Sequence, residues 1–238
     1  MRRRRKTADG GGQGSGAGDQ SIGWVTLLLG LAITGFLFWR NRQYMRFEEY
    51  YLLNIALLLW APLATLLVFL RREPSDFAMT AGDLRGGLIA AFALWLLFLP
   101  VVWYFSRIGD FQLYYTRLLG SSGALLGRQI QPDRLLFHEL VFGFYMFAWE
   151  WYFRGFLLFG LKRLMPFVWA ALFQASAFAL LHYGKPLPEV ISSFFGALLL
   201  AMVALKYRSF LPCFVLHWAI SASFDAAVLY HYLNGVSR

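Results

Sequence analysis

Seven runs of predominantly apolar residues, each close to the length of a membrane-crossing helix, constrain this chain more than any other feature. They cover about 23–41, 50–70, 87–105, 136–160, 166–183, 188–206 and 210–232. A helix needs about 20 residues to cross the hydrocarbon core. It also satisfies every backbone polar group within its own segment, which lipid cannot do. The sequence therefore predicts an all-α, polytopic transmembrane helical bundle with about seven spanning helices. Composition agrees: 59% of residues are hydrophobic and 15% charged, against about 45–50% and about 25% in soluble domains. Trp24 and Trp39 bracket the first run, as expected of aromatic residues at membrane interfaces. Pro166 and Pro188 suit first-turn positions of the fifth and sixth helices.

Three regions follow from these runs. Residues 1–22 read as a disordered tail, with basic residues from Arg2 to Lys6 and then a Gly/Ser-rich stretch. The basic cluster lies far from the first apolar run and no small-residue cleavage site follows, so the first helix is expected to be a retained anchor. Residues 23–135 form the N-terminal transmembrane helices and a connecting loop, and 136–238 form a core carrying the chemistry. Within the loop 106–135, the stretch 111–120 is expected to be either an amphipathic helix along the interface or an ordinary connector.

The net charge of +9 does not point to nucleic acid. Much of it lies in the tail and in short loops, where basic residues set topology and attract anionic lipid. The tail, Arg71, Arg72, Lys162, Arg163, Lys206 and Arg208 favour an inside N-terminus; Arg40, Arg42 and Arg46 in the first loop oppose it. The single cysteine, Cys213, rules out an intramolecular disulfide framework and Cys-rich metal sites. Its place in an apolar run fits packing.

Ionisable side chains within spans are costly, so they usually face a protein or water-filled interior and find partners there. Glu150 and Arg154 lie in the fourth span, His182 ends the fifth, and His217 and Asp225 lie in the seventh. Glu150 and Arg154 are four residues apart and share a helix face, as do Phe178 and His182, and His217 and Ser221. A carboxylate and two imidazoles suffice for hydrolysis, with the carboxylate as general base toward water. An imidazole can hold that water or bind a metal. A protonated imidazole or a serine hydroxyl can donate to an oxyanion. Taken singly, the same residues have plainer roles: a structural ion pair for Glu150 and Arg154, an interfacial position for His182, interhelical hydrogen bonding for His217, packing for Ser221, and structural pairing for Asp225.

Residues 149–155, WEWYFRG, resemble the first motif, Glu-Glu-x-x-x-Arg-Gly, of the CAAX protease and bacteriocin-processing intramembrane proteases. Glu150 matches the second Glu, with Arg154 and Gly155 matching the Arg and Gly. Phe178 and His182 resemble the second motif, Phe-x-x-x-His. His217 and Ser221 fall where the third has His followed four residues later by Asn or a similar polar residue. Residues 77–88 are similar to a segment that often precedes the core in bacterial members. The resemblance covers about 140–230 and departs at two positions. Trp149 stands where the family has the carboxylate usually credited with activating water, and Ser221 replaces the commoner Asn. The pattern is similar to a subgroup whose first motif reads Trp-Glu-x-x-Phe-Arg-Gly.

The resemblance implies an intramembrane endopeptidase in a bacterial cytoplasmic (inner) membrane, acting on a membrane-embedded or lipidated protein or peptide. Its implied catalytic residues are Glu150, His182, His217, Ser221 and Arg154. It implies either no cofactor or a divalent metal such as zinc held by Glu150, His182 and His217, the metal-free form being favoured. The competing expectations are an inactive scaffold of the same fold and a small transporter with Glu150, Arg154 and Asp225 along a polar path. At a rise of 1.5 Å per residue, the expected bounds set Glu150 and His217 about 10–16 Å from one membrane face and His182 about 24 Å. Helix tilt or a later start of the fifth span would close that gap.

Overall fold

The computed structural model describes residues 14–236. Eight helices account for nearly all of it. Helix α1 is Gly14–Arg40, α2 is Phe47–Phe69, α3 is Leu84–Phe105 and α4 is Gly109–Ser121. A two-stranded antiparallel hairpin, β1 (Leu125–Leu126) and β2 (Gln129–Ile130), follows α4. Helix α5 covers 132–161, and then come α6 (Phe167–Leu181), α7 (Leu187–Tyr207) and α8 (Leu211–Leu233). The all-α polytopic bundle expected from the sequence is the fold. Each of the seven apolar runs is a helix, with ends within a few residues of those expected except at the start of α1. The expected tail over 1–22 overlaps α1: residues 14–22 are helical, and 1–13 lie outside the described residues.

Five helices are long and apolar enough to cross a membrane by themselves: 18–40 within α1, then α2, α3, α7 and α8. Of the other three, α4 has only 13 residues, and α5 and α6 fall short for different reasons. Helix α5 carries Glu139, Glu150 and Arg154, and α6 has only 15 residues, about 22 Å of helix. The second half of α5 is interior, whereas α6 buries Ala170, Ala171, Gln174, Ala175 and Phe178 on one face and exposes Val168, Trp169 and Leu180 on the other. From Ala148 to Leu158, α5 is almost wholly inaccessible, and it packs against α1, α2, α6, α7 and α8. The outer helices show the opposite pattern: Leu28, Leu52, Val68, Leu97 and Phe195 are more than half exposed. Apolar exposure on this scale would be an aggregation surface in water and is the natural outer face of a bundle in lipid.

Local chemistry sets the helix ends. The Asp83 side chain accepts from the Gly86 N–H at 3.0 Å and caps α3. Pro132, Pro188 and Pro212 fall in first turns, where a missing N–H costs nothing. Pro166 differs from its expected place by one residue, capping α6 from outside. The stretch Trp151–Leu157 of α5 is π-helical; such widened turns recur at functional sites.

The loop between α2 and α3 is built into the core. Phe77 is inaccessible and stacks on Phe156 at 6.2 Å. Ala78 accepts a backbone hydrogen bond from Phe210, and the Ser209 hydroxyl donates to the Thr80 carbonyl. The segment read as a lead-in thus ties α5 to the turn between α7 and α8. Of the two expectations for 111–120, the helical one holds for its shape: α4 buries Phe111, Tyr115 and Leu119 along one face, with Phe111 and Tyr115 against Phe224 of α8.

Candidate active site

Helix α5 carries Glu150 and Arg154 on one face at the bundle centre, where both side chains are inaccessible. Arg154 Nε lies 3.1 Å from Glu150 Oε2, off the hydrogen-bonding line, so the contact is an ion pair. The guanidinium also donates from Nη1 to Gln174 Oε1 at 3.2 Å and sits 4.4 Å over the Phe178 ring. Gln174 Nε2 in turn donates to the carbonyls of Ala171 and Ala197, both at 3.1 Å. A buried charge persists only when paired and hydrogen-bonded; here α6 and α7 together hold the cation that neutralises Glu150.

The other Glu150 oxygen, Oε1, lies 2.6 Å from His217 Nδ1. A carboxylate can only accept, so Nδ1 carries the proton and Nε2 is left as a bare acceptor. Nε2 makes no hydrogen bond with the described residues. His182, at the C-terminal end of α6, repeats the arrangement. Its Nδ1 is 2.9 Å from the Phe178 carbonyl, which also only accepts, so its Nε2 is bare as well. His182 stacks on Phe178 at 4.5 Å, and the same ring meets His217 at 5.8 Å. The depth gap expected from straight, parallel helices is closed: one phenyl ring touches both imidazoles and the guanidinium.

His182, His217 and Ser221 line a cavity of about 770 Å³ whose walls are rich in aromatic residues, including Tyr51, Tyr145 and Phe224. Glu150 does not line it; the carboxylate stands behind His217. Trp149 does line it, with its ring edge against His182 and Phe178, each at 5.5 Å. The residue that replaces the first motif carboxylate is therefore an apolar wall beside His182. Loop residues Asn41, Arg42, Tyr183 and Lys185 also line the cavity. Burial alone would lower the Lys185 ammonium, but the Glu189 carboxylate at 2.6 Å outweighs it and holds Lys185 above the ordinary lysine range. The Tyr115 hydroxyl donates to both Glu189 oxygens, at 3.0 and 2.9 Å.

The Nδ1 contacts of His182 and His217 leave both Nε2 atoms free, as in a metal-bound imidazole, while a guanidinium and an imidazole hold the Glu150 oxygens. Ligand atoms from Glu150, His182 and His217 do not all fall within 4.8 Å of one another. Among the described residues, three such atoms lie within 4.8 Å of one another only at His138, Glu139 and Asp225. Sequence reading missed two partners. Gln174 is a lone amide in an apolar helix, a visible signal. His138 is an imidazole two turns into a span, also visible.

The fold and site together define an integral membrane protein with a buried carboxylate–imidazole pair backing a bundle cavity. Residues 133–223 match the family model described as type II CAAX prenyl endopeptidase Rce1-like. The matched region runs from α5 into α8 and contains Glu150, Arg154, His182, His217 and Ser221. The match supports a CAAX-type intramembrane endopeptidase in general terms. No curated protein and no solved structure matches the chain.

Proposed function

We propose that this chain is an intramembrane endopeptidase of the CAAX type, belonging to the subgroup with Trp before the motif glutamate. In this reading it cleaves a membrane-embedded or lipidated protein substrate in a bacterial cytoplasmic membrane. The observation that carries the reading is the 2.6 Å contact between Glu150 and His217 at the edge of a cavity lined by a second imidazole. The bare Nε2 atoms of His217 and His182 accept the two hydrogens of one water. His217 removes a proton as the water oxygen attacks the scissile carbonyl carbon. Glu150 acts through His217, fixing its tautomer and stabilising the imidazolium that forms, with Arg154 as its counter-ion. The Ser221 hydroxyl donates to the tetrahedral oxyanion. His217 then passes its proton to the leaving amine, and the C–N bond breaks. No metal enters these steps.

Trp149 supports a second reading, a folded scaffold without hydrolytic activity, because it removes the carboxylate that usually activates water in the family. One assay separates the two. The protein is reconstituted in liposomes with a lipidated C-terminal peptide, and cleavage is followed by mass spectrometry. His217→Ala, if folded, should cut the rate by about 100-fold or more, and Glu150→Gln should lower kcat similarly with KM little changed. Wild-type cleavage by folded His217→Ala would remove the proposed base. No cleavage by the wild type across lipidated and anchored peptides would favour the scaffold.

A further inference from the structure

A second constellation of buried ionisable groups lies away from these residues. His138 and Glu139 of α5 face Asp225 of α8, and one ligand atom from each lies within 4.8 Å of the others. His138 is inaccessible and Asp225 is 3% exposed. His138 Nε2 and Asp225 Oδ2 are 3.7 Å apart, and neither imidazole nitrogen has a hydrogen-bond partner among the described residues. Asp225 Oδ1 and Glu139 Oε2 are likewise without partners. The ring packs against Phe47 at 5.5 Å and stacks on Phe142 at 6.0 Å.

We propose that His138, Glu139 and Asp225 bind one divalent transition-metal ion of the zinc class, clamping α5 to α8.

Three arguments converge on a cation. The His138–Asp225 separation is too long for a hydrogen bond. It is close to the spacing of two ligands on one tetrahedral ion, about 3.3 Å for bonds of about 2.05 Å. Charge points the same way. Two carboxylates facing each other in an apolar bundle are costly, and a divalent ion neutralises both. The donor set of one imidazole nitrogen and two carboxylate oxygens suits zinc or its first-row neighbours better than magnesium or calcium, which prefer all-oxygen shells. Asp225 also lines the large cavity, which leaves the fourth position open to water. The site is separate from the Glu150–His217 pair: Asp225 lies two turns beyond His217 on α8, about 12 Å along the helix.

The test uses the whole chain in detergent, stripped with a chelator and titrated with Co(II) and then Zn(II). One equivalent of Co(II) should produce visible d–d absorption that Zn(II) displaces, and the melting temperature should rise on loading. Asp225→Asn keeps the side-chain shape and should weaken binding about 100-fold or more, as should His138→Ala. His217→Ala should bind as the wild type does. No cobalt absorption in the wild type would overturn the site and leave a proton shared between acid and imidazole. So would full binding by folded Asp225→Asn, or loss of binding in His217→Ala.

Discussion

At the scale of single residues, Arg154 is the side chain on which most of the buried polar network depends. It is inaccessible, pairs with Glu150, donates to Gln174 and covers the Phe178 ring. Arg154→Ala leaves the carboxylate buried without a counter-charge, which typically costs about 3–5 kcal/mol. Denaturant unfolding in mixed micelles should therefore show a clear loss of stability. Arg154→Lys restores the charge but not the planar group that reaches Gln174 while lying over the ring, and it should recover only part of the loss. Full recovery by lysine would mean that charge alone matters at this position. The pairing of residues 150 and 154 was legible in the sequence, because a spacing of four places two side chains on one helix face. The partner of Glu150's second oxygen was not. His217 is 67 residues away, and no local rule specifies which face of α8 meets α5.

At the scale of elements, the site depends on α5 lying closely against the loop between α2 and α3. Gly155 is the point of closest approach. A Cβ there would stand 2.5 Å from the Phe77 carbonyl oxygen and 2.5 Å from the Trp151 ring. Backbone cannot move aside as a flexible side chain can, so Gly155→Ala should push the loop away from α5. The expected cost is about 1–3 kcal/mol, read as a lower melting temperature, and removal of the Phe77 side chain should be less harmful in that background than in the wild type. Independent, additive effects would show that the loop does not rest on Gly155. The sequence showed the helix over 136–160 and the segment 77–88 only as separate stretches. Their contact was not readable, because the reason for the glycine lies in another part of the chain. Helix α6 teaches the same point. It is apolar nearly all round, so its sequence does not say which face packs on the bundle, yet the structure buries Ala170, Gln174 and Phe178 and exposes Val168, Trp169 and Leu180.

At the scale of the whole molecule, the loops after α1 and α6 both line the cavity, which places its mouth on one side of the bundle. If the N-terminus is inside, that side is outside, and under the proposed function the substrate would come from exported or surface-anchored proteins. Labelling tests this directly, since the single native cysteine, Cys213, is inaccessible and gives little background. Tyr183 lies in the cavity-side loop and is 63% exposed. Tyr183→Cys in intact cells should react with a membrane-impermeant maleimide. Reaction only after permeabilisation would reverse the orientation and direct the substrate search to cytoplasmic lipidated proteins.

The sequence by itself determined the class of molecule, the helices and the residues too polar to face lipid, because hydrophobic periodicity, length and the cost of a buried charge are local quantities. Tertiary structure alone decided which polar residues meet. It set Glu150 behind His217 rather than on the cavity wall, made Trp149 a wall beside His182, and brought His138 to Asp225 across two helices. Those outcomes depend on how helices rotate and tilt against one another to fill space, a many-body packing condition that no single segment encodes.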